Sequence, residues 1–165
     1  MAGLDGNVDA GVLASIGVRT DEIAGYTAEL RNDTGQLVTL EAARLLPLQG
    51  FPLPEQSLRL AVQTGRVSVG TLAGWPPGHH NRDIRLAPFA GYRVRSGHTV
   101  KILYGVSAAA PGDYGIKGLR LSVELAGSQQ SVDALGGSVT CVSGEVRLCP
   151  GSVDSRATRV VDGEV

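Results

Sequence analysis

Cys141 and Cys149, in the stretch CVSGEVRLC, are the only cysteines of the chain, with Ser143-Gly144 between them able to turn the backbone. A hairpin or short loop brings the two thiols together. Bridging is preferred over two unrelated small apolar residues, because an even count in a thinly packed stretch reads as a staple. By loop entropy such a bridge stabilises by about 2–3 kcal/mol. The spacing is not Cys-x-x-Cys and the one adjacent cation is Arg147, so a redox-active dithiol is not indicated.

The imidazoles are His79-His80, in Gly-His-His-Asn-Arg-Asp, and the distant His98. A metal ion needs three or four converging ligands, whereas adjacent histidines on an extended chain point to opposite sides. Asp83 and Asp113 are the carboxylates that could join them, and a solvated loop is the preferred reading. With Met1 the single methionine, a methionine-histidine copper site is not supported either. For nucleophilic catalysis the chain has no Gly-x-Ser-x-Gly; Ser96-Gly97-His98 and Gly136-Gly137-Ser138 read as turns at strand ends. Carboxylates for glycoside hydrolysis would have to be drawn from acids scattered over exposed-looking positions. Gly65, Gly70 and Gly74 lie in a β context with no Gly-Lys-Ser/Thr and no following helix, so no phosphate cradle is expected. The chain therefore reads as a non-enzyme without cofactor or metal.

One segment remains for recognition, the Gly74–Tyr92 connection containing WPPGHHNRD. It concentrates Trp75, Pro76, Pro77, His79, His80, Arg82, Arg85 and Phe89, which form the expected partner-binding surface. Long loops on rigid scaffolds often carry function. Trp75 is open to two readings, closing one end of the core or anchoring a partner. Phe89 and Tyr92 share that ambiguity.

The elements that must position these residues are strands. Regular 3.6-residue spacing is sustained nowhere beyond about two turns. Period-2 alternation is clear, and about seven strands are expected. Val12 to Arg19 is a first strand. Tyr26, Ala28 and Leu30 share a face of the second, which the turn Asn32-Asp33-Thr34-Gly35 joins to Leu37–Leu46, so that Tyr26–Leu46 reads as a hairpin. Pro47, Pro52 and Pro54 interrupt; Leu58 to Leu72 resumes, with a turn near Thr64-Gly65. Val100, Ile102, Tyr104 and Val106 face one way. After the Ala110–Asp113 turn, Leu119, Leu121, Val123 and Leu125 alternate with Arg120, Ser122 and Glu124, and Ser131–Val142 follows. The expected division is 1–24 as an N-terminal segment with a possible first strand, 25–150 as an all-β sandwich, and 151–165 as a flexible tail.

Composition narrows the partners. In 165 residues, 42% are apolar and 19% charged, which suits one globular domain. The net charge is −1, with the signs interspersed, and aromatics are 4%. Neither a basic stripe for phosphates nor a stacking platform is present, so nucleic acid is not an expected partner. Apolar runs are too short for membrane insertion. The basic residues are Arg apart from Lys101 and Lys117, a composition that suits a bacterial genome of high G+C content. Met1–Gly6 has neither a basic start nor an apolar stretch, so the chain is read either as cytoplasmic or as having lost an export segment.

LRNDTGQLVTL resembles the hairpin between the second and third strands of bacterial extracytoplasmic immunoglobulin-like domains. The run from Pro111 to Leu125, PGDYGIKGLRLSVEL, is similar to their penultimate strand. Tyr114 there corresponds to the corner tyrosine, whose hydroxyl bonds back to nearby backbone. A strand ending Thr140-Cys141-Val142 with a second cysteine soon after resembles small actinobacterial envelope proteins. The resemblance implies an accessory module of the cell envelope, extracytoplasmic, whose partner is another protein such as a membrane complex. It carries no catalytic residues. The rival expectations are a self-associating structural component (particle, tail or fibre) and a small hydrolase or carbohydrate-binding domain.

Overall fold

The computed structural model describes residues 3–8, 13–54, 56–65, 71–76, 84–144 and 149–161. Within them the alternating pattern produces β1 Leu4–Asp5, β2 Leu13–Arg19, β3 Ala24–Asn32, β4 Val38–Pro47, β5 Gln56–Gln63, β6 Leu72–Ala73, β7 Leu86–Pro88, β8 Arg93–Val94, β9 His98–Ser107, β10 Gly112–Leu125 and β11 Ser128–Ser143, then one helix, α1 Gly151–Val161. The strands form two sheets. One has the order β1-β3-β9-β5-β7, with β6 added beside β3; the other runs β2-β11-β10-β4-β8. The pairs are antiparallel except β2 with β11, which is parallel. This is the strand order of an immunoglobulin-like sandwich, with β8 lengthening the second sheet beyond β4. The count exceeds seven because β1, β6, β7 and β8 are edge pieces of two or three residues. Alternation over so few residues leaves no mark in a sequence.

Tyr26–Leu46 is not a hairpin. Its turn exists, but β3 and β4 belong to different sheets, so the turn is a corner. Asn32 makes it one. Its buried side-chain amide donates to the Gln36 and Val94 carbonyls at 2.8 Å each, and its carbonyl oxygen accepts from the Thr34 N–H at 3.1 Å and the Thr34 hydroxyl at 2.7 Å. Every hydrogen-bonding site of that amide is occupied. Val38 and Leu40 thus face the same interior as Ala28 and Leu30, from the opposite wall.

The interior is built from the inward rows of both sheets. Leu30, Ile102, Leu119, Leu121 and Val123 are all fully buried. Two polar groups cross it. The Tyr26 hydroxyl reaches the Thr140 hydroxyl at 2.6 Å and donates to the Val139 carbonyl at 3.0 Å. The Tyr104 hydroxyl lies 3.2 Å from that of Ser138 and 3.4 Å from the Gly136 carbonyl. Both tyrosines stand on the first sheet and both sets of partners on β11 of the second. Burial pushes the Tyr104 phenol up to about 12, and it raises Tyr26 still further. Tyr114 donates to the Ala110 carbonyl at 2.9 Å, the back-bond expected of a corner tyrosine.

The segment from Gly151 is not a loose tail as far as Val161. It forms α1 against the outside of the second sheet, where Val153 and Ala157 join Leu48, Phe51, Val139 and Cys141 in a second cluster. Gly115 lets this happen: a side chain there would meet Phe51 Cγ at 2.7 Å. Arg156 stacks its guanidinium 4.2 Å from the Phe51 ring centre, a cation–π contact. Cys141 and Cys149 are bridged, with Cα atoms 5.4 Å apart, which fixes the start of the helix to β11. Among the described side chains of α1 the apolar ones facing inward are Val153, Ala157 and Val160, a stripe too sparse to read from sequence.

Two predictions follow from the packing. Replacing both cysteines by Ala lowers unfolding free energy by about 2–3 kcal/mol in denaturant titration, and hydrogen exchange quickens in α1 before the sandwich. Tyr26→Phe, which strips the Thr140 hydroxyl of its buried partner, costs about 1–3 kcal/mol. In the unfolded chain a phenol ionises near pH 10, so stability is full below about pH 10 and declines above it, because the folded state cannot release those protons. The phenolate absorbance of Tyr26 and Tyr104 therefore develops only as the fold is lost.

Candidate functional site

Trp75 lies on the outside of the six-stranded sheet. The chain leaves β5 at Gln63 and returns at Leu86, and between these points it visits β6, on the far side of β9 and β3. The ends of this excursion are tied: the Thr64 N–H donates to the Arg85 carbonyl at 2.9 Å. The described parts of this stretch, 64–65, 71–76 and 84–85, therefore make a flap tied at its base and hooked to the opposite edge of the sheet. Its hook is the pairing of Leu72 with Gly25 and of Ala73 with Ala24, followed by Gly74, whose N–H donates to the Ile23 carbonyl at 2.7 Å. Gly74 adopts φ +94°, and the chain turns there to lay Trp75 back across the sheet.

What Trp75 lies on is a gap. On β9, Tyr104 and Val106 point inward, so Gly105 between them points out, opposite Gly25 on β3. A side chain at Gly105 would meet Trp75 Cε3 at 2.7 Å and Ile23 Cγ2 at 2.8 Å. The indole is partly buried and Pro76, joined to it by a cis peptide bond, is exposed. Leu103 and Ala61, on the same outward row by register, are also buried, yet they belong to neither core cluster. The middle of this face is covered, while Ala73 and Pro76 reach solvent.

The residues expected to meet a partner thus separate. Trp75, Pro76 and Arg85 belong to the flap, and Arg85 is exposed at its base. Phe89 does not: it is 4% exposed and packs into the main core with Val94 and Leu40. It follows β7 as the chain passes towards the second sheet, and the turn that Tyr92 and Gly91 make with Leu40 draws the ring inside. Pro77, His79, His80 and Arg82 lie outside the described residues. Sequence reasoning missed Gly105 and Gly25, although a glycine within an apolar strand is the available sign that something approaches closely.

Among the described residues no group of three or more His, Cys, Asp or Glu is placed to hold a metal ion, and no helix is long and apolar enough to cross a membrane. Among the described residues the ionisable side chains in the core are the two tyrosines, each hydrogen-bonded and held in its neutral form. At the surface, Arg120 and Asp133 face each other across β10 and β11 and make a bidentate pair at 2.7 and 2.8 Å, which holds the Asp133 carboxyl below its ordinary range. It ties two neighbouring strands.

The seat of Trp75 is testable through Gly105→Val. The added methyls evict the indole, so emission of this single tryptophan shifts to the red and stability drops by about 1–3 kcal/mol. Unchanged emission would mean the indole does not rest on Gly105.

No family model and no curated protein matches this chain. Among solved structures it is similar to one titled "Structure of Vibrio cholerae VesB protease", at 13% sequence identity and a TM-score of 0.35, over 80% of this chain and 30% of that one. The chain spans about three-tenths of that protein, and a likeness of this degree carries neither its activity nor its architecture across.

Proposed function

We propose that this chain is a non-catalytic protein-binding module of the cell envelope, working outside the cytoplasm, with the flap over the six-stranded sheet as its contact surface. The observation that carries the reading is the placement of Trp75: an indole seated on a glycine gap outside the main core, flanked by exposed Ala73 and Pro76. Aromatic groups held in this way make strong anchors, since little ordering remains to be done on binding. The disulfide supports an oxidising compartment, where such bridges persist. Neutral, hydrogen-bonded tyrosines in the core support a scaffold role for the interior.

Trp75→Ala is expected to weaken capture of the native partner at least about tenfold, with a melting temperature a few degrees lower because the indole also covers Gly105. Ala73→Glu separates the two effects. Its side chain is exposed, so it should leave melting unchanged and still reduce capture. Full capture by both variants would move the interface elsewhere.

A further inference from the structure

A cleft of about 630 Å³ opens beside the base of the flap, lined by Gln63, Thr64, Arg93, Arg95, His98 and Lys101 among others. Among the described residues its lining has no carboxylate, although the whole chain carries a net charge of −1. Arg93 and Arg95 flank Val94, whose side chain is buried, and both point away from the core. Among the described residues neither makes an ion pair. Lys101 is held by Glu29 at 3.4 Å, so the two guanidiniums are the charges left for a ligand, with His98 and the hydroxyls of Thr64 and Thr99 beside them.

The cleft is also rigid. Asn32 donates to the Val94 carbonyl between the two arginines, the Gly97 N–H donates to the Asn32 carbonyl at 2.6 Å, and the Gly35 N–H donates to the Ser96 hydroxyl at 3.0 Å. Two turns are thereby clamped together, and the β8 to β9 corner that presents Arg93, Arg95 and His98 is fixed before any ligand arrives. Guanidiniums arranged side by side without counter-charges repel each other and match carboxylates well, each through paired N–H donors.

We propose that this cleft binds an acidic peptide segment of the partner protein, with Arg93 and Arg95 each taking a carboxylate. The proposal rests on the protein-binding reading and names the chemistry of what is bound. The volume is that of a ligand several residues long, larger than one oxyanion needs. Nucleic acid is disfavoured, because a phosphate backbone asks for a track of cations, whereas these are confined to one concave corner.

Calorimetry with a hexaglutamate peptide at about 150 mM salt tests it. The expected result is saturable 1:1 binding that weakens at least about tenfold in Arg93→Gln/Arg95→Gln. Arg44→Ala, an exposed arginine on β4, should leave binding unchanged. Arg93→Lys/Arg95→Lys retains charge without the planar fork and should fall between. Absence of saturation, equal binding by the double Gln variant, or equally tight binding of inorganic phosphate would each overturn the proposal. Because the peptide is measured without the native partner, loss of peptide binding with Trp75-dependent capture intact removes the cleft alone. The reverse pattern removes the flap alone.

Discussion

The fold depends on two tyrosine hydroxyls that cross from one sheet to the other. Tyr26 and Tyr104 bring large rings into the centre of the sandwich, 5.7 Å apart between centroids. Their oxygens cannot remain there unpaired, because a buried hydroxyl without a partner costs more than its bond contributes. β11 supplies Thr140 and Ser138 at the required places, on the same strand and two residues apart. Apolar packing alone would tolerate sliding of one sheet over the other. These bonds admit one register, and with it the position of everything mounted on the outer faces.

Those outer faces share a device. Each sheet has an outward glycine into which an aromatic ring is set, Gly105 under Trp75 and Gly115 under Phe51. On the second sheet the ring belongs to a closed patch, completed by α1, the disulfide and Arg156. On the first sheet the ring belongs to a flap tied at its base and hooked to the far edge, with exposed groups around it. The two faces are built alike and finished differently. On the proposed reading the closed patch is structural and the flap face makes the contact.

Much of the sandwich was legible in the chain, since inward and outward positions follow from alternation alone. Tyr26, Ala28 and Leu30, or Leu119, Leu121 and Val123, lie where the pattern puts them. Pairing was not legible. Alternation records which side of a strand is oily but not which strand lies beside it, so a corner turned by Asn32 reads the same as a hairpin. α1 escaped because three inward residues and a disulfide hold it, with a sparse stripe. Of the expected contact residues, Trp75 and Pro76 lie on the flap, whereas Phe89 is buried in the core: a phenylalanine beside a loop does not reveal whether the next turn folds it inside. The basic cleft was invisible, because Arg93, Arg95 and His98 meet Gln63 and Thr64 only through sheet pairing.

A sandwich whose buried tyrosines are hydrogen-bonded and neutral, with a flap displayed on one face, fits the proposed reading of a module that holds another molecule. The most direct measurement of that claim places a photo-crosslinking residue at Pro76 on the flap, and separately at Gln130, exposed on β11, in the protein within its native cells. The account predicts a discrete protein adduct from position 76 and none from position 130. An adduct from 130 with none from 76 would contradict it.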